Sequence, residues 1–147
     1  MVTTWDILGA IGAASGVPAL GWQMYTWHAS GPKIQVESAH VYSTGGSQLG
    51  AHHFSVTAVN RGRAKTTITG WGLRLPDHSN LVVMQQLRFS TQLPFEVSPN
   101  SSASFYVEGK EVVDLCGQRQ VKVADLRPWV RLATGQEVIG PGLPLKD

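Results

Sequence analysis

The histidines of this chain are the side chains whose type and spacing come closest to a metal site. His52 and His53 are adjacent, so in a β-strand they point to opposite faces and do not easily bind one ion together. His40 could share a site with His52 if their strands pair on that face. No Asp or Cys stands at ligand spacing from the pair, whereas metal sites in proteins combine several such ligands. We therefore predict half-buried or solvent-facing strand histidines, and no metal or other cofactor.

Catalysis by a cysteine nucleophile is the second chemistry to test, because Cys116 could pair with a histidine. Cys116 falls on the apolar side of a short predicted helix, together with Val112 and Leu115. A buried cysteine in such a place acts as a small hydrophobic residue. No paired carboxylates and no glycine-rich phosphate-binding motif stand out. We predict that the protein is not an enzyme and takes no small-molecule substrate.

The charged residues exclude an obvious nucleic-acid-binding surface. The chain has 12 Lys and Arg against 10 Asp and Glu, and the basic residues are scattered. A nucleic-acid-binding protein shows a basic patch or stripe, whereas the densest run here is Arg61, Arg63 and Lys65. These three residues form a candidate contact surface for a protein partner or for anionic lipid headgroups. The single cysteine excludes an intramolecular disulfide.

The clearest element is residues 53–75, which alternate, turn at residues 60–63 and alternate again. Phe54, Val56 and Ala58 share one face of the first strand because side chains alternate with period 2. Asn and Gly in the turn are residue types that tolerate positive φ. We therefore predict a β-hairpin closed by a basic loop.

The second strand of this stretch changes phase in its middle. Ile68 is an even position, but Trp71 and Leu73 are odd, so both sets reach the core only if the register slips by one residue. A β-bulge at Gly70 would produce that slip, and glycine is common at bulges. The alternative is that Trp71 lies on the outer face.

With the two strands of this stretch included, the chain predicts about seven short strands and one short helix, with turn signals between them. This pattern predicts an all-β fold, an immunoglobulin-like antiparallel β-sandwich with one short crossing helix, preceded by an N-terminal α-helix. Beside the hairpin, strands are predicted over 33–43, 93–97, 103–107, 120–126, 129–133 and 136–139, of which the first lies at a sheet edge and the last two form a closing hairpin. A short apolar run follows at 81–84, and the helix is predicted over 111–116, ended by Gly117. The domains are a hydrophobic helix (1–29), a linker (30–33), the sandwich (34–140) and a loose tail (141–147).

The N-terminal segment has no charged side chain over residues 7–27, a length close to the thickness of a bilayer. Trp5 at one end and Trp22, Tyr25 and Trp27 at the other resemble membrane-interface aromatic belts. We predict a single-pass membrane anchor in contact with lipid. A buried or interfacial helix and a cleaved signal peptide are the alternatives, and Pro18 interrupts the stretch.

The orientation of such an anchor follows from the basic residues beside it. No Lys or Arg precedes the segment, whereas Lys33 follows it. The positive-inside tendency then places the C-terminal domain in the cytoplasm. The lone Cys116 agrees with a reducing compartment.

This combination resembles a group of small bacterial, especially actinobacterial, and phage proteins that join an N-terminal membrane helix, a Gly-Pro linker and an immunoglobulin-like domain. The resemblance implies a fold and a topology, and no activity. The matching residues are 30–32, 56–63, 67–69, 93–94 and 128–130.

Three functions follow from these features. The first is a non-enzymatic, membrane-anchored interaction or scaffold module with an unknown protein partner. The second is a soluble structural subunit of a phage or secretion-type particle, whose N-terminal helix is an assembly interface. The third is a metal-binding or hydrolytic domain that uses His40 and His52.

Overall fold

The computed structural model describes residues 4–45, 48–82 and 87–143, with side chains described over 16–43, 50–81 and 87–143. Two antiparallel sheets and two helices make up the described chain, which divides into the units Met1–Gly31 and Pro32–Asp147. The elements are α1 (Thr4–Ala29), β1 (Ile34–Gly45), β2 (Gln48–Asn60), β3 (Thr66–Arg74), β4 (Asn80–Val82), β5 (Phe95–Val97), β6 (Ser102–Glu108), α2 (Gly109–Arg119), β7 (Arg127–Leu132) and β8 (Glu137–Ile139).

Helix α1 forms the first unit and overturns the prediction of a membrane anchor. None of the helices in the described residues combines the length and the apolar character that a membrane crossing requires. The 26 residues of α1 supply the length, so apolar character is what it lacks. Four glycines, together with Thr, Ser, Gln and His side chains, dilute its hydrophobic residues. The single-pass placement was therefore wrong, and the cytoplasmic orientation derived from it loses its basis.

The first sheet has the strand order β1-β2-β6, and β1 lies at its edge as predicted. β1 and β2 pair antiparallel, and their register extends from Ile34 opposite Asn60 to Gly45 opposite Gln48. The sequence Gly45-Gly46-Ser47 predicts a turn between the two strands. Residues 46 and 47 themselves lie outside the described part of the chain.

The predicted hairpin over residues 53–75 does not form. Strands β2 and β3 belong to different sheets, because β2 pairs with β1 and β6 whereas β3 pairs with β4, β5 and β7. Residues 60–66 are thus an inter-sheet corner, in which the chain crosses from one sheet to the other. Burial of the Asn60 side chain accounts for the difference, as described below.

The second sheet has the strand order β4-β3-β7-β8, with β5 paired to the start of β3. The β3–β7 register shifts between Ile68 and Gly70, which confirms the predicted bulge. Ile68 and Trp71 are both buried, so the slip lets both face the core. The predicted closing hairpin is also confirmed, since β7 and β8 pair antiparallel.

The hydrophobic core draws side chains from both sheets and from α2. Phe54, Phe105, Leu73 and Val130 are fully buried, and Trp71 stacks on Phe105 with ring centroids 5.4 Å apart. Val112 and Cys116 bring the apolar side of α2 into the same cluster. Because β6 and β7 lie in different sheets, α2 belongs to a connection between sheets, as predicted.

The segments after α2 differ from the predictions. Gln120, and not Gly117, ends α2 in the left-handed conformation, with φ of 54°. The strand predicted over 120–126 is wrong, because this segment is irregular and contains a 3-10 turn at Val123–Asp125. Leu126 is buried in the core, although it does not belong to a strand. The start of the tail packs, since Leu143 is buried and its N–H donates to the Leu126 carbonyl at 3.1 Å. Residues 144–147 lie outside the described part.

Candidate functional site

The described half of α1 exposes large apolar side chains. Trp22 and Tyr25 pack on each other with ring centroids 6.1 Å apart. The side chain of Trp5 lies outside the described residues. Isolated exposed apolar residues are ordinary, but a dense group marks a contact surface. The exposed fractions range from 63% to 80% over Val17, Leu20, Trp22, Met24, Tyr25 and Trp27.

The outer side of the inter-sheet corner carries the three basic residues predicted as a contact surface. Arg61, Arg63 and Lys65 are all exposed, since successive residues of the corner alternate between solvent and interior. The Arg61 Nε donates to the Gln35 side chain. Lys65 Nζ lies 3.3 Å from a Glu96 carboxylate oxygen, with both side chains more than half exposed. Two of the three cations therefore have neighbours that fix their direction.

The inner side of the corner is organised by Asn60, which is fully buried. Its amide nitrogen donates to the carbonyls of Ala64 at 2.8 Å and Val97 at 3.2 Å. Its amide oxygen accepts from the backbone N–H of Gly62 at 2.9 Å and of Lys33 at 3.3 Å. One side chain thus bonds to backbone groups of three segments that meet at the corner. Sequence analysis took this Asn for a turn residue and missed its role.

The strands of His40 and His52 pair, and the two side chains meet on one face of the sheet. His40 Nδ1 lies 2.9 Å from His52 Nε2, and the ring planes differ by 13°. Tyr42 and Phe54 contact the pair through their rings. Over the described residues, no third His, Cys, Asp or Glu joins them in a cluster. His53 points to the other face, where its ring meets Phe89 edge-on.

A cleft of about 510 Å³ opens at the end of the second sheet, which sequence analysis did not anticipate. Its polar lining consists of Arg74, His78, Asp125 and Arg127, and these come from two separated segments. Its volume falls in the range of small-molecule sites. The positive charge is largely balanced, however, because Arg74 bonds to Glu137 at 2.5 Å and Asp125 faces the same space. The cleft lacks paired carboxylates and a nucleophile beside a base.

Next to this cleft, an ionic cluster covers the outer face of the second sheet. Glu137 accepts from Arg74 at 2.5 Å and from Arg131 at 2.6 Å, and these bonds lower the pKa of its carboxyl. The Arg131 guanidinium lies 5.5 Å from the ring centroid of Trp129, which is buried beneath it. Gly72 makes room for that indole, because a Cβ there would come within 3.0 Å of it. The cluster ties β3, β7 and β8 together.

Cys116 does not have the surroundings of a nucleophile. It is buried in the core on α2, and burial raises the pKa of its thiol. A reactive cysteine requires the thiolate, which this site disfavours. The interpretation of Cys116 as a core residue therefore agrees with its position.

Comparison with known proteins adds no function. No known protein family matches the sequence, and no curated protein matches it. Among solved structures, the chain is similar to the X-ray structure of Northeast Structural Genomics Consortium target SoR45, with a TM-score of 0.32 and 9% identity. That match covers 80% of this chain and 86% of the other. The likeness is too weak to carry an argument.

Proposed function

We propose that this protein is a non-enzymatic interaction module, in which an immunoglobulin-like β-sandwich carries a helix that assembles with the same helix of other copies. The observation that carries the proposal is the set of exposed apolar side chains on α1. A helix that exposes several large apolar side chains close together needs cover, since it is otherwise an aggregation liability. An assembly interface supplies that cover.

The spacing of these side chains favours helix–helix packing. Val17, Leu20, Met24 and Trp27 follow one another at intervals of three, four and three residues, the heptad spacing of a coiled-coil seam. Trp22 and Tyr25 lie on the other side of the helix, where they suit a further neighbour. An assembly of several copies would therefore bury both sides. This arrangement is that of a structural subunit within a larger particle.

The order of strands supports the immunoglobulin-like part of the proposal. In immunoglobulin-like sandwiches the first, second and fifth strands share one sheet, whereas the third strand pairs with the penultimate strand in the other. Here β1, β2 and β6 form one sheet, and β3 lies between β4 and β7. The crossing from β2 to β3 corresponds to the sheet change between the second and third strands of that fold.

The outer side of the corner is the second contact surface of the proposal. Arg61, Arg63 and Lys65 present exposed cations on a backbone that Asn60 holds in place. A rigid loop costs less conformational entropy on binding than a mobile one. Such a surface suits an acidic segment of a protein partner.

The mass of the full-length protein in solution tests the assembly. We expect wild-type protein to sediment as an oligomer, and the double variant Leu20→Lys/Met24→Lys to shift toward the monomer, because two charges in the seam repel across the interface. Ala19→Lys/Gln23→Lys is the matched control, since it adds the same two charges with the same spacing at exposed positions between the seam and the side of Trp22 and Tyr25. It should keep the wild-type mass.

Two results would overturn the proposal. One is a wild-type monomer across the accessible concentration range. The other is a monomer that co-sediments with anionic vesicles in wild type but not in Leu20→Lys/Met24→Lys, which would make α1 a lipid-surface helix. Near-UV circular dichroism of each variant establishes that the sandwich is folded before the masses are compared.

A further inference from the structure

We propose that the cleft at the end of the second sheet binds a small phosphate monoester that also carries hydroxyl groups, such as a sugar phosphate. Arg74, Arg127 and His78 bind the phosphate, and Asp125 accepts a hydrogen bond from a hydroxyl group. The proposal goes beyond the assembly function and does not depend on it. It departs from the sequence-based prediction of no cofactor and no small-molecule substrate, because the cleft forms only where distant segments meet.

Two arginines stand directly opposite each other at the cleft. Arg74 of β3 pairs with Arg127 of β7, so both side chains lie on the same face of the second sheet. Like charges in directly opposite positions destabilise a sheet, because their Cβ atoms are only about 4.5–5.5 Å apart. An anion bound between the two guanidinium groups converts this repulsion into attraction.

The nearby carboxylates leave part of this positive charge unpaired. Glu137 accepts hydrogen bonds from both Arg74 and Arg131, so one carboxylate serves two guanidinium groups. Arg127 forms no ion pair in the part of the chain that the structure describes. It is exposed and lines the cleft, so it is the cation most ready to bind an anion there.

The side chain of Arg74 is held in place before any ligand binds. Its Nε donates to the Asn80 side chain at 2.9 Å, and a terminal nitrogen donates to Glu137 at 2.5 Å. A guanidinium carries more N–H donors than these bonds use, so others remain for a phosphate oxygen. Because the direction of the side chain is already fixed, little conformational entropy is lost on binding.

The third donor, His78, lies in a turn that backbone hydrogen bonds close. Its N–H donates to the Leu75 carbonyl at 3.0 Å, and the Leu75 N–H donates to the Ser79 carbonyl at 2.9 Å. The neighbouring carboxylate of Asp77 accepts from the Ser79 N–H at 2.9 Å. These bonds hold His78 at a φ of 66°, which is uncommon for a residue other than glycine. The turn therefore presents the imidazole to the cleft on a fixed backbone.

The donors and the size of the cleft select the class of ligand. Two guanidinium groups and an imidazole N–H match the three terminal oxygens of a phosphate monoester better than the two oxygens of a carboxylate. Asp125 lines the same cleft and repels an anion unless it meets a donor, which a hydroxyl group supplies. The volume of about 510 Å³ leaves room beyond a phosphate and falls in the range of small-molecule sites.

Isothermal titration calorimetry of the full-length protein at low salt tests the site, with inorganic phosphate, glycerol 3-phosphate, glucose 6-phosphate and glucose as probes. We expect saturable binding of the three phosphates, tighter binding of the two esters than of inorganic phosphate, and no binding of glucose. Arg127→Gln should weaken the binding of each phosphate by about tenfold or more, because it removes a charge-assisted contact. Asp125→Ala should weaken the binding of the esters alone, because only they carry an alcohol hydroxyl.

Arg63→Gln is the matched control, since it removes the same charge from an exposed position in the corner that precedes β3, whereas the cleft lies where β3 ends. It should change the affinities by about twofold at most. Absence of saturable phosphate binding, an equal loss in Arg63→Gln, or an Asp125→Ala variant that treats esters and inorganic phosphate alike would each overturn the proposal. Thermal unfolding establishes that each variant is folded. If Arg127→Gln does not fold, the contrast between glucose 6-phosphate and glucose and the response to Asp125→Ala still decide the question.

Discussion

Strand β2 follows β1 within one sheet, whereas β3 follows β2 across an inter-sheet corner, although similar residue types mark both connections. Glycine and serine precede β2, and asparagine ends it, with glycine two residues later. On the entry side, pairing with β1 continues to Gly45 opposite Gln48. On the exit side, pairing with β1 ends at Asn60 and the chain continues in the other sheet. Turn composition alone therefore does not decide between a hairpin and a corner.

The difference lies in where the polar groups of each connection find partners. In the hairpin the strands themselves satisfy the backbone up to the turn. In the corner the strands separate, and the buried amide of Asn60 bonds to backbone groups of Lys33, Gly62, Ala64 and Val97. A polar side chain inside the protein thus replaces the missing strand pairing.

The largest expected effect comes from removing that side chain. Asn60→Ala removes four hydrogen bonds to the backbone, two of them buried and two part-buried, and we expect a loss of about 3–5 kcal/mol in the free energy of unfolding. Urea denaturation measures it. The matched control is Asn80→Ala, because Asn80 is exposed and accepts one bond from Arg74 at 2.9 Å. Equal losses in the two variants would show that the corner does not depend on the buried amide.

Insertions separate the two connections directly. Two glycines inserted between residues 46 and 47 lengthen the hairpin loop and should cost about 0.6–1 kcal/mol, mainly through loop-closure entropy. The same two glycines inserted after Gly62 separate Asn60 from Ala64 and should cost about twice as much or more. Thermal unfolding of both proteins gives the comparison. A corner that accepts the insertion as easily as the hairpin would contradict its description as a bonded unit.

The sequence predicted the strands better than the partners of the strands. Alternation placed Phe54, Val56 and Ala58 in the core, and the change of phase around Gly70 predicted the bulge. Both depend on local periodicity, which the chain shows by itself. The sheet in which a strand lies depends on contacts distant in sequence, such as Asn60 with Val97. Periodicity carries no information about those contacts.

The candidate sites follow the same division. Adjacent His52 and His53 were expected on opposite faces, and they lie there. Predicting the contact between His40 and His52 requires the pairing register of β1 and β2, and the residue types of the turn only suggest that the two strands pair. The cleft lined by Arg74 and Arg127 joins distant segments and had no local signal. For α1, the lack of charged residues suggested a membrane-spanning helix. Its glycine and polar residues, however, make the helix too weakly hydrophobic to span a membrane.

The ionic cluster on the second sheet provides a pH-dependent contrast to the bonds of Asn60 in the corner, which join neutral groups. Arg131 and Arg74 lower the pKa of Glu137, so the stabilisation is present above the ordinary pKa of a glutamate, about 4.3. It is lost as the pH falls through the lowered pKa of the folded state. We expect Glu137→Gln to be less stable than wild type at pH 7, with a difference that narrows under acid. Urea denaturation between pH 7 and pH 3 checks this, and a constant difference would contradict it.

The smallest effects are expected on the outer side of the same corner. Lys65→Ala removes an exposed ion pair with Glu96 and should change the free energy of unfolding by about 0.5 kcal/mol or less. Arg63→Ala should change it less, because Arg63 is exposed and has no ion-pair partner among the described residues. Urea denaturation at low and high salt measures both. Losses as large as that of Asn60→Ala would mean that charge, and not the buried amide, holds the corner. Small losses instead mean that the basic side chains can be replaced in a folded protein, so that a change in partner binding reports on the surface itself.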